Sequence, residues 1–137
     1  MNSAKVTDLE GRVIDRIQVS DARMDFHMAD GSVYRMHHIE DCCETVYIED
    51  IDGDLSDIRD ARVLAFEEPS GETYDAIAAL HGVADRYKSA ESYTWTFYRL
   101  NTDKGGLCIR WIGESNGYYS EGVDFECVVD PRLTGPI

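Results

Sequence analysis

A chain of 137 residues has the length of one domain and can bury an apolar core without disulfide or metal staples. The hydrophobic fraction of 43% is ordinary for a folded protein, and no apolar run is long enough to span a bilayer as a helix. The formal charge of −14 disfavours binding to nucleic acid or an anionic membrane, and it favours either a basic partner or plain solubility. Met1-Asn2-Ser3-Ala4-Lys5 runs into Val6-Thr7-Asp8-Leu9-Glu10 without a continuous apolar stretch, so no signal peptide is expected. A cytoplasmic setting with reduced thiols follows as the expectation. Cys42 and Cys43 are adjacent while Cys108 and Cys127 stand alone, a spacing unlike any disulfide framework.

In chain order, apolar residues alternate over 12–20, 23–28 and 33–38, with Asp30-Gly31 between the last two, which predicts a β-hairpin. Thr45-Val46-Tyr47-Ile48 reads as the next strand and Arg62-Val63-Leu64-Ala65-Phe66 as another. Asp41 with Glu44, and Asp54 with Asp57 before Ile58, have the spacing of a helix cap and its reciprocal partner, each starting a short turn. After the break at Pro69-Ser70-Gly71, Ile77, Leu80, Ala84 and Tyr87 share one helical face, so a longer helix is expected over 74–87 despite Gly82.

Three C-terminal strands are predicted over 93–100, 107–114 and 119–129. A two-residue Asn116-Gly117 turn would pair Trp111 with Gly122, Ile109 with Asp124 and Leu107 with Glu126, placing carboxylates on the apolar face. One more loop residue pairs Trp111 with Val123, Ile109 with Phe125 and Leu107 with Cys127, a single core face. The same parity sets Trp95 opposite Trp111 and Phe97 opposite Ile109 across the 101–106 loop. The expected architecture is therefore α+β and rich in strand. It has one curled or roll-like antiparallel sheet of six to seven strands, one longer helix and short helical turns. A single domain is expected over 1–130, with 131–137 as a loose tail.

No nucleophile triad, phosphate loop or complete metal site is present. His37, His38, Cys42 and Cys43 are zinc-type ligands, but adjacent cysteines chelate one tetrahedral ion poorly and no C-x-x-C occurs. The acidic neighbours Glu40, Asp41 and Glu44 raise thiol pKa and disfavour redox chemistry. Glu49-Asp50-Ile51-Asp52-Gly53-Asp54 resembles part of a calcium loop, yet Leu55 stands where glycine is needed and Ala61 where the last acidic ligand is needed. Glu114 and Glu121 could be read as an acid/base pair, although a lone carboxylate pair on a hairpin more often serves solubility. No cofactor and no metal are expected.

Two sets remain. The first suits a protein partner: the carboxylates Glu49, Asp50, Asp52, Asp54 and Asp57, with the hairpin residues Glu114, Ser115, Asn116, Tyr118, Tyr119 and Glu121, which mix rigid aromatic and adaptable polar groups. Equally, those tyrosines could simply cover a sheet edge. The second set, His37, His38 and Arg110 with Tyr118 and Tyr119, suits a small anionic ligand such as a nucleotide signal.

Several strings together carry a resemblance. They are His38-x-x-Asp41-Cys42-Cys43-Glu44-x-Val46-x-Ile48-x-Asp50-Ile51-x-Gly53-Asp54, then Thr94-Trp95-Thr96-Phe97-Tyr98, then Ile109-Arg110-Trp111-x-Gly113-Glu114-Ser115-Asn116-Gly117-Tyr118-Tyr119-Ser120-Glu121. With them the chain resembles a small phage- and prophage-encoded family with a domain of unknown function. Residues 72–89 depart from it as a longer, more helical stretch, expected as an insertion. The resemblance transfers no catalytic residue. It implies a setting in the host cytoplasm, and by analogy a non-enzymatic anti-defence role of the anti-CRISPR kind. The partner would be a basic host defence protein or ribonucleoprotein, with no direct contact to nucleic acid or membrane. The alternatives are a protein that sequesters a small ligand and a metal-assisted hydrolase.

Overall fold

A computed structural model describes residues 2–39, 44–69, 92–115 and 122–131. Among them lie nine strands: β1 (Asn2–Ser3), β2 (Val13–Ser20), β3 (Arg23–Met28), β4 (Val33–His37), β5 (Thr45–Asp52), β6 (Ala61–Glu67), β7 (Ser92–Thr102), β8 (Gly105–Ser115) and β9 (Asp124–Val129). Short 3-10 turns at Val6–Leu9 and Leu55–Ile58 are the helical pieces of the described residues. All pairings are antiparallel, in the order β1-β9-β4-β3-β2-β6-β7-β8-β5.

The sequence alternation explains the first three long strands. Met24, Phe26 and Met28 of β3 and Tyr34 and Met36 of β4 point to one buried face, while tight turns join β2 to β3 and β3 to β4. At β2 and β6 the ladder narrows to two pairs, Val13 with Arg62 and Ile14 with Ala61. The sheet folds over at this seam, so that its two halves share one core. Trp111 on β8 donates its indole N–H to the Met36 sulfur on β4 at 3.2 Å, although four strands separate β8 from β4 in the sheet order. Phe66 of β6 lies 5.5 Å from Phe26 and 6.2 Å from Phe125 between ring centroids, and Tyr34 stacks on Phe125 at 5.7 Å. Each such ring, fully buried, contributes on the order of 1.5–3 kcal/mol.

The fold class expected from sequence is corrected: the described residues are all-β, with nine strands and no helix of seven residues or more. The longer helix expected over 74–87 and the insertion at 72–89 lie outside the described residues. Asp54 does start a short turn, accepting the Ser56 N–H at 2.9 Å, but the turn ends after Ile58 as the chain enters β6. The cap expected at Asp41 also lies outside the described residues, and Glu44 leads directly into β5.

Strand neighbours differ from expectation as well. β8 pairs with β7 on one side and β5 on the other, so neither edge is open to β9, which pairs instead with β4 and β1. Alternation identifies which residues of β9 face inward but carries no information on which strand lies beside it. Between β7 and β8 the register is one residue off the expected parity: Trp95 pairs with Ile112, Thr96 with Trp111 and Phe97 with Arg110. The cause is the tight Asp103-Lys104 turn, closed by Thr102 facing Gly105, with Thr102 Oγ1 donating to the Gly105 carbonyl at 2.7 Å. A shift of one residue puts the two tryptophans on opposite faces. Trp111 enters the shared core, while Trp95, Phe97 and Ile112 are buried on the other face.

Candidate functional site

The stretch from Asp50 to Asp60 leaves β5, turns through Leu55–Ile58 and enters β6, and it exposes Asp50, Asp52, Asp54, Asp57 and Asp60. Its shape is fixed by three local features. Ile58 is buried and anchors the turn in the core. Asp54 accepts from the Ser56 N–H and hydroxyl, at 2.9 and 2.7 Å, and these bonds hold its carboxyl below the usual range. Asp60 adopts a left-handed φ of 56°, which aspartate tolerates better than most residues, and turns the chain into β6.

Exposed cations sit beside this acidic stretch. Lys104 donates to the Arg59 carbonyl at 3.3 Å. Asp52, Asp57 and Asp60 nonetheless form no ion pair among the described residues. Elsewhere Arg12, Arg16, Arg23, Arg35 and Arg110, five of the thirteen lysines and arginines, each face a carboxylate within 3.5 Å.

Glu49, expected among the partner contacts, is placed otherwise. The β5–β8 register slips between Ile48 and Asp50, a bulge that turns both Glu49 and Asp50 towards Arg110. Arg110 holds Glu49 through its Nε and Nη2 at 2.5 Å and reaches Asp50 at 3.5 Å. The Arg110 and Glu49 side chains are 11% and 8% exposed, so this is an interior ion pair, whereas Asp50 keeps half its surface.

The histidines, expected as possible anion ligands, are held by carboxylates. His37 meets Glu126 on β9 at 2.9 Å. His38 meets Glu44 at 2.9 Å through Nε2 and the Gly122 carbonyl at 2.7 Å through Nδ1. A carbonyl and a carboxylate face the two ring nitrogens, an arrangement that favours the doubly protonated ring. Burial acts to lower its pKa, but the bonds to Glu44 and Gly122, with the fields of Glu44 and Asp124, outweigh it and raise the value. With Arg110 turned to Glu49 and both histidines turned to glutamates, the described part of the second set does not converge on an anion.

Of the hairpin residues, Glu114 is half-buried on β8 and Ser115 ends that strand. Asn116, Tyr118, Tyr119 and Glu121 lie outside the described residues, as do Cys42 and Cys43. Cys108 and Cys127 are free and half-buried. Asp60 closes the acidic stretch expected over 49–60, directly before β6. The carboxylates that hold the histidines were less legible, because Glu126 reaches His37 from 89 residues away.

Among the described residues no helix is long and apolar enough to cross a membrane. Neither the curated proteins nor the solved structures yield a match to this sequence. Residues 7–125 match one family, the Domain of unknown function (DUF7448), and over that span, most of its length, the chain belongs to it.

Proposed function

We propose that this protein acts by binding rather than by catalysis, presenting the acidic stretch from Asp50 to Asp60 to a basic, nucleic-acid-binding surface of another protein. The observation that carries the reading is the exposure of Asp52, Asp57 and Asp60, none of them in an ion pair among the described residues, beside Asp50 and Asp54 on one short, locally fixed segment. An acidic face of this kind steers a basic partner and competes with the phosphates that partner normally holds. The resemblance to phage-encoded proteins makes a host defence complex, of the CRISPR type or another, the target class within this proposal. An inhibitor of that kind needs no cofactor.

The test is capture from a bacterial host lysate by the tagged protein at about 0.1 M and about 1 M salt, a range over which the screening length falls roughly threefold. Recovery of a basic nucleic-acid-processing complex at the lower salt, lost at the higher salt and with the D50N/D52N/D54N/D57N/D60N variant, supports the reading. Equal recovery by the variant, or recovery indifferent to salt, contradicts it.

A further inference from the structure

A cavity of about 590 Å³ opens where the N-terminal segment crosses β9 and the end of β6, within the size range of small-molecule sites. Its floor is Tyr98 of β7. That residue is 3% exposed, packs edge-on against Phe66 and belongs to the core, yet it also lines the cavity. Its hydroxyl has no hydrogen-bond partner among the described residues. The hydroxyl is not among the fully buried unpaired polar atoms, so it opens onto the cavity although the ring is buried.

Half of the other polar residues around it are anionic, the rest being Ser3, Thr7 and Lys5. Glu68, Asp124 and Glu126 line the cavity, against Lys5 as the one cation among the described lining residues. Glu126 is held by His37, and Asp124 accepts the Ile39 N–H at 2.8 Å through one oxygen, leaving its other oxygen and the whole Glu68 carboxyl for a ligand. Burial pushes the Tyr98 hydroxyl up, and the fields of Glu68 and Asp124 add to the shift, so both carboxylates act on the cavity floor. Partial burial at the rim of the cavity also raises Glu68. Val6, Ile39, Val123 and Phe125 supply apolar wall.

A neutral hydroxyl able to accept, two carboxylates and an apolar wall describe the environment of a cationic head on an aliphatic stem. We propose that this cavity binds an alkyl ammonium or alkyl guanidinium group, with Tyr98, Glu68 and Asp124 accepting from the head. The site is formed by residues other than those of the acidic stretch, and it stands or falls separately from the function proposed above.

The test is titration of the ¹⁵N-labelled full chain with n-butylguanidinium, n-butylammonium and neutral n-butylurea, followed at the backbone amides of Ala4, Val6, Val123, Asp124 and Phe125. Saturable shifts are expected with the two cations and not with the urea. Tyr98→Phe, which keeps the ring and its packing, should weaken binding about tenfold or more, the usual cost of a lost hydrogen bond to a charged group. Glu68→Gln, at the exposed rim, should weaken it as well, while D50N/D52N/D54N/D57N/D60N should leave it unchanged. An N-acetylated Gly-Arg-Gly amide moving the same amides assigns the head to an arginine of a polypeptide; cations binding where the peptide does not assigns it to a free amine. No saturable shift at these amides, an equal response to butylurea, or unaltered binding by Tyr98→Phe would overturn the proposal.

Discussion

Single residues here do work that their sequence neighbours do not announce. Arg110, a free cation in the sequence, is held almost out of water by Glu49, and the pair fixes β5 to β8 where the ladder bulges. Removing one member of such a pair leaves the other charged and buried, which is why its role is structural. His38 ties the end of β4 to the entry of β5 through Glu44 and to the entry of β9 through the Gly122 carbonyl. The side chains of His38 and Glu44 are 5% and 0% exposed, so little solvent screens the pair. Because the folded-state pKa of His38 is raised above the ordinary 6.5, its contribution is fully present below about that pH and is lost as pH rises through the folded value. Urea unfolding of wild type and His38→Gln at a series of pH values above 6.5 should therefore show a stability difference that shrinks as pH increases. A difference that stays constant or grows would remove the charged form of His38 from the account.

At the scale of elements, the acidic turn depends on a close approach at its base. Gly53 has φ of +127°, and a Cβ there would stand 2.5 Å from the Gly106 carbonyl oxygen and 2.7 Å from Leu107 Cδ2. Gly53→Ala should cost about 1–3 kcal/mol in denaturant unfolding, from backbone strain and from displacement of β8 together; a cost near zero would mean the turn is not seated on β8. The strands themselves were legible wherever one face is buried and the other wet, as in β3 and β4, because alternation then encodes both the element and its inward side. β7 and β8 were harder. Trp95 and Phe97 on one face and Tyr98, Ile109 and Trp111 on the other are all buried, so alternation offers no parity, and only the Asp103-Lys104 turn decides the register. The partners of β9 were not legible at all, since Phe125 packs inward equally well beside β8 or beside β4. The acidic stretch was readable from composition, but the withdrawal of Glu49 from it was not, because a bulge is a property of the pairing and not of the strand.

For the whole molecule, a charge of −14 on a small chain whose described residues are all-β sets a field that favours basic partners over long distances at low salt. Five of the thirteen lysines and arginines are paired with carboxylates, while the aspartates between β5 and β6 are exposed. The family match over residues 7–125 includes the whole of that segment, the His38–Glu44 pair and Arg110, while Glu126, the partner of His37, lies one residue beyond it. If the acidic stretch occupies a nucleic-acid-binding surface, then protein and nucleic acid must exclude one another. The direct measurement is displacement of a fluorescently labelled duplex from the captured complex, followed by anisotropy as this protein is added. Wild type should release the duplex stoichiometrically at about 0.1 M salt and D50N/D52N/D54N/D57N/D60N should fail to do so. Simultaneous binding of both, or equal displacement by the variant, would contradict the account.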